Sequence, residues 1–214
     1  MTATKKLRIL CLHGYRQNDV LFREKTGSLR KQFKKYADFE FICAPLVPNV
    51  DSEDRGDVRG WWFSREDNQF SSRDICSIAT GFEQSVSIVR DYVHSNGPFD
   101  GILGFSQGAS MTHLLLAMEQ LGEISLGFRF AIFFSSFLSL SSVHNSYTSL
   151  RLNIPSLHIY GTGDQVVAYT NSEKLKAMFC DCVSIVHDGG HFIPTMSKHK
   201  DVFIKFLERF SVET

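Results

Sequence analysis

The 214-residue sequence predicts one α/β domain, built on a single doubly wound, mostly parallel sheet with helices on both faces. Three observations lead to this fold class. Short, continuously apolar runs recur along the chain, as expected for strands that are buried on both faces of a parallel sheet. Segments with helical spacing separate these runs, and each parallel return needs such a crossover. Because no internal repeat or linker interrupts this order, one domain is predicted over residues 1–214.

The first half of the chain contains two predicted strands and a long irregular connection. Leu7–Leu12 is the first strand, and helical spacing follows over Leu21–Tyr36. Phe39–Ala44 is the second strand, and it stops at Pro45 because proline has no N–H to donate to a sheet. No period is visible from Pro45 to Thr80, and connections of this length inside a compact domain usually carry function. We expect this segment on the substrate side of the molecule.

The second half repeats the alternation of helices and strands. Helical spacing over Gly81–His94 precedes the third strand, Phe99–Phe105, and a helix is predicted over Gln107–Leu121. The polar stretch Leu138–Asn153 is a second long connection. The remaining predicted strands are Phe130–Phe134, Ser156–Tyr160 and Val183–Val186, with helices over 168–179 and 198–210.

The charge balance argues against a nucleic acid as the partner of this chain. The 23 Lys and Arg residues equal the 23 Asp and Glu residues, so the basic footprint that phosphate backbones require is missing. The apolar run after Met1–Lys6 is too short for a signal peptide, and no run approaches the ~20 residues of a membrane-spanning helix. We therefore expect a cytoplasmic protein without a membrane span.

The cysteines predict free thiols rather than a disulfide framework or a zinc site. They form an odd, scattered set without CxxC spacing: Cys11, Cys43, Cys76, Cys180 and Cys182. An HExxH pattern is also missing, so we expect no metal site and set aside a metal-dependent hydrolase.

Ser106 is the candidate nucleophile. It lies in the stretch GFSQG, between the third predicted strand and the helix that follows it. In that context Gly-x-Ser-x-Gly puts the serine on a sharp turn with an exposed hydroxyl, beside a helix N-terminus whose N–H groups can stabilise negative charge. The alternative is a serine that merely caps the helix.

A serine hydroxyl needs a base, and the base needs an orienting acid. Asp164 follows the fifth predicted strand and His191 follows the sixth, where ligands bind in parallel sheets. His191 is favoured over seven other histidines by two preceding glycines and its position just past a strand. Asp188 and Asp181 are the rivals of Asp164, which we prefer because it comes from a separate, earlier strand end.

The sequence also offers candidates for an oxyanion hole and for a substrate pocket. The backbone N–H groups of Gln107, after the serine, and of Tyr15, in the first strand–helix loop, suit a developing oxyanion. The alternative for Tyr15 is an ordinary turn. Trp61 and Trp62 are candidates for the wall of an apolar acyl pocket, although simple packing is an equally good interpretation.

Several blocks together resemble the FSH serine hydrolases, the small α/β-hydrolase family of the ovarian-cancer-associated esterase. They are LCLHGYRQN, FREKTGSLRK, RGWWF, GPFDGILGFSQGA, PSLHIYGTGD and GGHFIP, between Leu7 and Pro194. The resemblance implies an intracellular esterase that acts without a cofactor. It also implies a triad of Ser106, Asp164 and His191, with Tyr15 and Gln107 as oxyanion donors.

The function expected from the sequence is a serine carboxylesterase that hydrolyses apolar acyl esters through an acyl-enzyme. The 19 phenylalanines favour an apolar ester over a charged one. An acyl-thioester hydrolase would use the same parts. The alternative from another class is a non-catalytic binding module on the hydrolase fold, because fold alone does not carry function.

Overall fold

A six-stranded sheet forms the centre of the molecule in the computed structural model, which describes residues 5–49 and 56–211. The strands stand in the order β2-β1-β3-β4-β5-β6, and every neighbouring pair is parallel. The predicted α/β fold with a parallel sheet is therefore confirmed. The strands are β1 Leu7–Leu12, β2 Ala37–Ile42, β3 Gly101–Phe105, β4 Phe130–Phe134, β5 Ser156–Gly161 and β6 Cys182–His187.

Helices cover both faces of the sheet, and each face has its own apolar core. Phe22, Phe33 and Phe203 come from α1, α2 and α7 and pack on one face. Val86, Leu115 and Leu175 come from α3, α4 and α6 and pack on the other. The helices are α1 Asp19–Lys25, α2 Gly27–Phe33, α3 Phe82–Asn96, α4 Gln107–Gln120, α5 Asn145–Thr148, α6 Tyr169–Lys176 and α7 Lys200–Glu208.

Alternate residues of the inner strands point to opposite cores, which explains why these strands are apolar throughout. In β1, Ile9 and Cys11 lie in the core beside α1 and α7, whereas Leu10 and Leu12 lie in the core beside α4. All five residues of β3 and of β4 are buried. The edge strand β6 differs, because it exposes alternate side chains to solvent.

The helix predicted over Leu21–Tyr36 is wrong as one element, since the structure divides it at Thr26 into α1 and α2. The Thr26 hydroxyl donates to the carbonyl oxygens of Phe22 and Arg23 at 2.9 and 3.0 Å, which closes the last turn of α1. Asn18 caps the other end, where its Oδ1 accepts from the Leu21 N–H at 2.7 Å. Local hydroxyl bonding of this kind competes with a continuous helix.

The long connection predicted over 45–80 has no helix in its described part, and residues 50–55 of it lie outside the described residues. Three antiparallel bridges organise its described part: the first joins it to the loop after β1, and the other two lie within it. Arg59 pairs with Gln17 after β1, Gly60 pairs with Leu46, and Phe63 pairs with Thr80. The bridge to Gln17 holds the segment beside the loop after β1.

The described residues contain no helix that is long and apolar enough to cross a membrane. The five cysteines are free thiols: Cys11 is buried in β1, and Cys180 and Cys182 are exposed before and at the first residue of β6.

Candidate active site

The parallel sheet brings Ser106, Asp164 and His191 to one edge. Ser106 directly follows β3, while Asp164 and His191 lie in the loops after β5 and β6. Because all three strands run in the same direction, their carboxyl ends meet at the same side of the sheet.

Ser106 occupies a tight turn between β3 and α4. Its φ of 55° and ψ of −118° are unusual for a residue with a side chain. Close backbone contacts impose this turn: a Cβ on Gly104 would lie 2.4 Å from the Gly108 carbonyl oxygen, and one on Gly108 would lie 2.2 Å from the Leu12 carbonyl oxygen. Only glycine fits at both places, so the motif spacing has a steric cause.

His191 links Ser106 to Asp164 by two hydrogen bonds. Its Nε2 lies 3.0 Å from the Ser106 Oγ, and its Nδ1 lies 2.7 Å from the Asp164 Oδ2. A carboxylate can only accept, so Nδ1 carries the proton and Nε2 is left to accept from the serine hydroxyl. The His191 ring also packs against Phe105, with ring centroids 4.9 Å apart.

Asp164 is fixed by backbone donors on its other oxygen. Its side chain is 1% exposed, and its Oδ1 accepts from the N–H groups of Val166 and Val167 at 2.9 and 2.8 Å. The rival carboxylates lie elsewhere: Asp181 pairs with Arg209, and Asp188 is exposed. The carboxylate that contacts His191 is therefore the one preferred from the sequence.

The two candidate oxyanion donors flank Ser106. Gln107 is the first residue of α4, and Tyr15 follows Gly14, where an added Cβ would lie 3.3 Å from the Ser106 Cβ. Within the described residues, neither the Tyr15 N–H nor the Gln107 N–H donates to another protein group. Both amides therefore remain free to bind an oxyanion.

Trp61 and Trp62 do not line the space in front of Ser106. They are 0% and 1% exposed, so the pocket role expected from the sequence gives way to packing. The Trp61 Nε1–H donates to the His13 carbonyl oxygen at 2.8 Å. Trp62 meets the rings of Phe70 and Phe82 edge to face. Large aromatic rings with a satisfied N–H are typical of a core.

The Gln107 side chain connects the segment around Trp61 and Trp62 to the serine turn, a role that the sequence pattern does not indicate. Its Oε1 accepts from the Trp61 N–H at 2.9 Å, and its Nε2 donates to the Trp62 carbonyl oxygen at 2.7 Å. All of these groups are buried. The positions are 46 and 45 residues apart, so no local pattern could have revealed the pairing.

The same segment also supports the Tyr15 loop. The Arg16 N–H donates to the Arg59 carbonyl oxygen at 2.9 Å, and the Arg59 N–H donates to the Gln17 carbonyl oxygen at 2.8 Å. The Gln17 side chain accepts from the Gly14 N–H at 3.3 Å. The stretch around Arg59 and Trp61 thus braces both candidate oxyanion donors.

His13 contributes to this support as a neutral ring. Its Nδ1–H donates to the Gly14 carbonyl oxygen at 2.8 Å, and its Nε2 accepts from the Ala44 N–H at 2.9 Å. Burial lowers the pKa of His13 to about 4, so the ring stays uncharged at neutral pH. His13 is therefore a structural link between the loops after β1 and β2.

A cavity of about 490 Å³ opens in front of Ser106 and His191. Three loops form its walls, at residues 14–17, 70–73 and 165–167, and Phe105 lies at its base. The connection over 45–80 reaches the cavity at Ser106 through 70–73 and not through its tryptophans. No three metal-ligating side chains cluster anywhere in the described part of the chain.

Known proteins with similar sequences are named as esterases. Esterase C25G4.2 of Caenorhabditis elegans is 55% identical over 211 residues, which cover 97% of this chain and 95% of that protein. Esterase OVCA2 of Danio rerio is 42% identical, covering 95% and 97%, and Esterase OVCA2 of Homo sapiens is 35% identical, covering 99% and 100%.

Solved structures with the same fold are more distant in sequence. SOBER1 of Arabidopsis thaliana superposes with a TM-score of 0.62 at 18% identity, covering 96% of this chain and 99% of the other. Acyl-protein thioesterase 2 of Zea mays gives 0.61 at 21% identity, covering 96% of each chain. A model of the serine hydrolase (FSH1) family matches residues 1–203. With relatives that span nearly its whole length, this chain is an α/β hydrolase that belongs to the serine hydrolase (FSH1) family.

Proposed function

We propose that this enzyme is a carboxylesterase that hydrolyses apolar acyl esters, with Ser106 as nucleophile, His191 as general base and acid, and Asp164 as orienting residue. The observation that carries the proposal is the hydrogen-bonded series Ser106–His191–Asp164, with distances of 3.0 and 2.7 Å, at the edge of an open cavity. The esterase names of the relatives support an ester as substrate.

The first half-reaction acylates the serine. As the Ser106 Oγ attacks the ester carbonyl, its proton passes to the His191 Nε2, and the Asp164 carboxylate stabilises the resulting imidazolium through Nδ1–H. The negative oxygen of the tetrahedral intermediate accepts hydrogen bonds from the backbone N–H groups of Tyr15 and Gln107. His191 then protonates the leaving alcohol oxygen as the C–O bond breaks, which leaves an acyl-enzyme.

The second half-reaction releases the acid. A water molecule gives a proton to the His191 Nε2 while its oxygen attacks the acyl carbonyl, and the same two N–H groups hold the second oxyanion. Collapse of this intermediate returns the proton to the Ser106 Oγ and frees the carboxylic acid. No cofactor enters these steps, since every proton moves between the triad, the substrate and water.

The apolar part of the substrate fits the cavity walls. Phe70, Phe105, Val166 and Val167 contribute apolar surface around the serine. Each buried methylene is worth about 0.8 kcal/mol, so longer acyl chains gain binding until the walls are covered.

The compartment proposed for the enzyme is the cytoplasm. Cys180 and Cys182 are exposed, close in sequence and unbonded, which suits a reducing environment.

The decisive experiment measures covalent labelling by a fluorophosphonate probe together with hydrolysis of 4-nitrophenyl hexanoate. Ser106→Ala is expected to abolish labelling and to lower kcat on the order of 10⁴-fold or more. Ser110→Ala is the matched control, because this buried serine lies one turn further along α4, away from the cavity lining. Labelling that survives Ser106→Ala would overturn the nucleophile assignment.

The same experiment separates the alternatives. A hexanoyl thioester assayed beside the oxygen ester compares thioesterase with esterase activity, and a higher kcat/KM for the thioester would change the substrate class but not the triad. A non-catalytic binding module would neither label nor turn over either compound.

A further inference from the structure

Two arginines face the active-site cavity without an acidic partner in its lining. Arg16 comes from the loop after β1, and Arg73 comes from the wall at 70–73. None of the lining residues is Asp or Glu. Within the described residues, neither guanidinium forms an ion pair, so their positive charges are not neutralised by this part of the protein.

Arg16 is held in place by an unusual backbone. Its φ is 61°, in the left-handed region that a non-glycine residue rarely adopts. The Arg16 N–H is bound to the Arg59 carbonyl oxygen at 2.9 Å, which fixes the residue next to the Tyr15 amide. The Nε of Arg16 is buried and has no hydrogen-bond partner among the described residues. A buried donor without an acceptor lowers the stability of the folded protein. Such a donor is expected where a ligand supplies the acceptor.

Arg73 is positioned by a contact with a third loop of the cavity. Its Nη2 donates to the Gln165 carbonyl oxygen at 2.9 Å, so the side chain bridges the loops at 70–73 and 165–167 along the edge of the cavity. One guanidinium carries five N–H donors, and a single backbone contact leaves the others available.

We propose that the cavity binds an ester that carries a carboxylate several carbons from the scissile bond, with Arg16 and Arg73 holding that carboxylate while the carbonyl meets Ser106. A guanidinium matches a carboxylate with paired N–H donors, and the interaction strengthens where walls exclude water. Phe70, Val166 and Val167 then contact the methylene chain between the two polar ends. This inference rests on the proposed esterase activity and narrows its substrate class from apolar chains to apolar chains with an acidic end.

The test compares two substrates that differ only at the chain end. Mono(4-nitrophenyl) adipate and 4-nitrophenyl hexanoate share a six-carbon acyl group and a leaving group, and the ratio of their kcat/KM values is measured. A second pair places the carboxylate on the alcohol side: the hexanoyl ester of 4-hydroxybutanoate against butyl hexanoate, followed by acid release. We expect the acidic substrate of at least one pair to be preferred, and the pair that shows it identifies the side of the ester that meets the arginines.

Variants connect the preference to the two guanidiniums. Arg73→Gln is expected to lower the ratio about tenfold, the effect of one charge-assisted contact, and Arg73→Lys to restore part of it. Arg16→Gln should lower it in the same direction. Arg151→Gln is the control, because it removes one positive charge at an exposed position outside the cavity lining and should leave the ratio unchanged.

The outcomes are distinguishable. If hexanoate is hydrolysed but neither acidic substrate is preferred, or if the preference is untouched by both glutamine variants, the carboxylate site is refuted while the esterase proposal stands. If no ester is hydrolysed and Ser106 takes no fluorophosphonate label, the esterase proposal fails and the substrate class fails with it.

Discussion

Buried histidines in the core beside α4 make the stability of this protein sensitive to acid. His113 is fully buried, and neither of its ring nitrogens has a hydrogen-bond partner in the part of the chain that the structure describes. Burial, together with a smaller effect of the neighbouring His144, lowers the pKa of His113 from 6.5 to about 4. Burial also lowers the pKa of His144 to about 4 and that of His158 to about 3. Each ring therefore folds in its neutral form.

The direction and size of the effect follow from proton linkage. A histidine whose folded pKa lies below its unfolded value binds a proton more readily when the chain is unfolded. Its contribution to stability is complete above pH 6.5 and is lost as the pH falls towards about 4. For His113 alone, the free energy of unfolding should fall by roughly 2 kcal/mol between about pH 7.5 and about pH 5. Three such residues would consume much of an ordinary domain's stability of about 5–15 kcal/mol.

His113→Leu isolates one of these contributions. The free energy of unfolding is measured by urea titration at both pH values for the parent and the variant. The variant should lose roughly 2 kcal/mol less than the parent on acidification, because leucine cannot bind a proton. It should be no less stable at neutral pH, since two buried unpaired nitrogens are removed. His94→Gln, at an exposed position, is the control and should keep the parent's pH dependence.

An equal loss of stability for His113→Leu and the parent would refute this reasoning. It would mean that the ring is already protonated in the folded state or is reached by water.

Three further predictions concern catalysis and the walls of the cavity. Asp164→Asn should lower kcat for ester hydrolysis on the order of 10⁴-fold, while Asp188→Asn should keep a kcat close to that of the parent. A larger loss of kcat in Asp188→Asn would identify Asp188 as the orienting acid. Gln107→Met keeps the backbone N–H of residue 107 but leaves the Trp61 N–H and the Trp62 carbonyl oxygen without their partner. We expect kcat to fall about tenfold to a hundredfold with little change in KM. An unchanged kcat would show that this side chain does not support the oxyanion donors. Across 4-nitrophenyl esters from acetyl to octanoyl, kcat/KM should rise severalfold per two added carbons. Phe70→Ala should reduce this dependence of kcat/KM on chain length. Trp61→Phe should lower the melting temperature but keep the dependence. A steady decline of kcat/KM with chain length in the parent would contradict an apolar acyl site.

The parts of the site that could be predicted are those set by local sterics. Ser106 lies in a turn in which Gly104 is required by the Gly108 carbonyl oxygen, four residues on, so this part of the motif predicts the local structure around it. Gly108 is required instead by the Leu12 carbonyl oxygen at the end of β1. Asp164 and His191 were found because parallel strands end at one edge, and the order of elements along the chain already implies that edge. The resemblance to a known family supported the same three residues.

The parts that could not be predicted depend on distant pairing. The Gln107 amide meets Trp61 and Trp62 across more than 40 positions, and composition alone could not decide between a pocket wall and a core for two tryptophans. The break at Thr26 was missed for the opposite reason. It depends on a single hydroxyl that bonds to the preceding turn, and the helical spacing continues through it.

The proposed catalytic residues and part of the cavity wall come from different segments of the chain, so the wall can be changed separately. The proposed catalytic residues follow the ends of β3, β5 and β6. Part of the cavity wall comes from the stretch at 70–73, inside a connection with no helix in its described part. Such a connection can be shortened or lengthened at a small cost in free energy, because the entropy of loop closure depends only weakly on loop length. Directed evolution restricted to 70–73 should therefore yield enzymes that accept other substrates and still catalyse the same reaction.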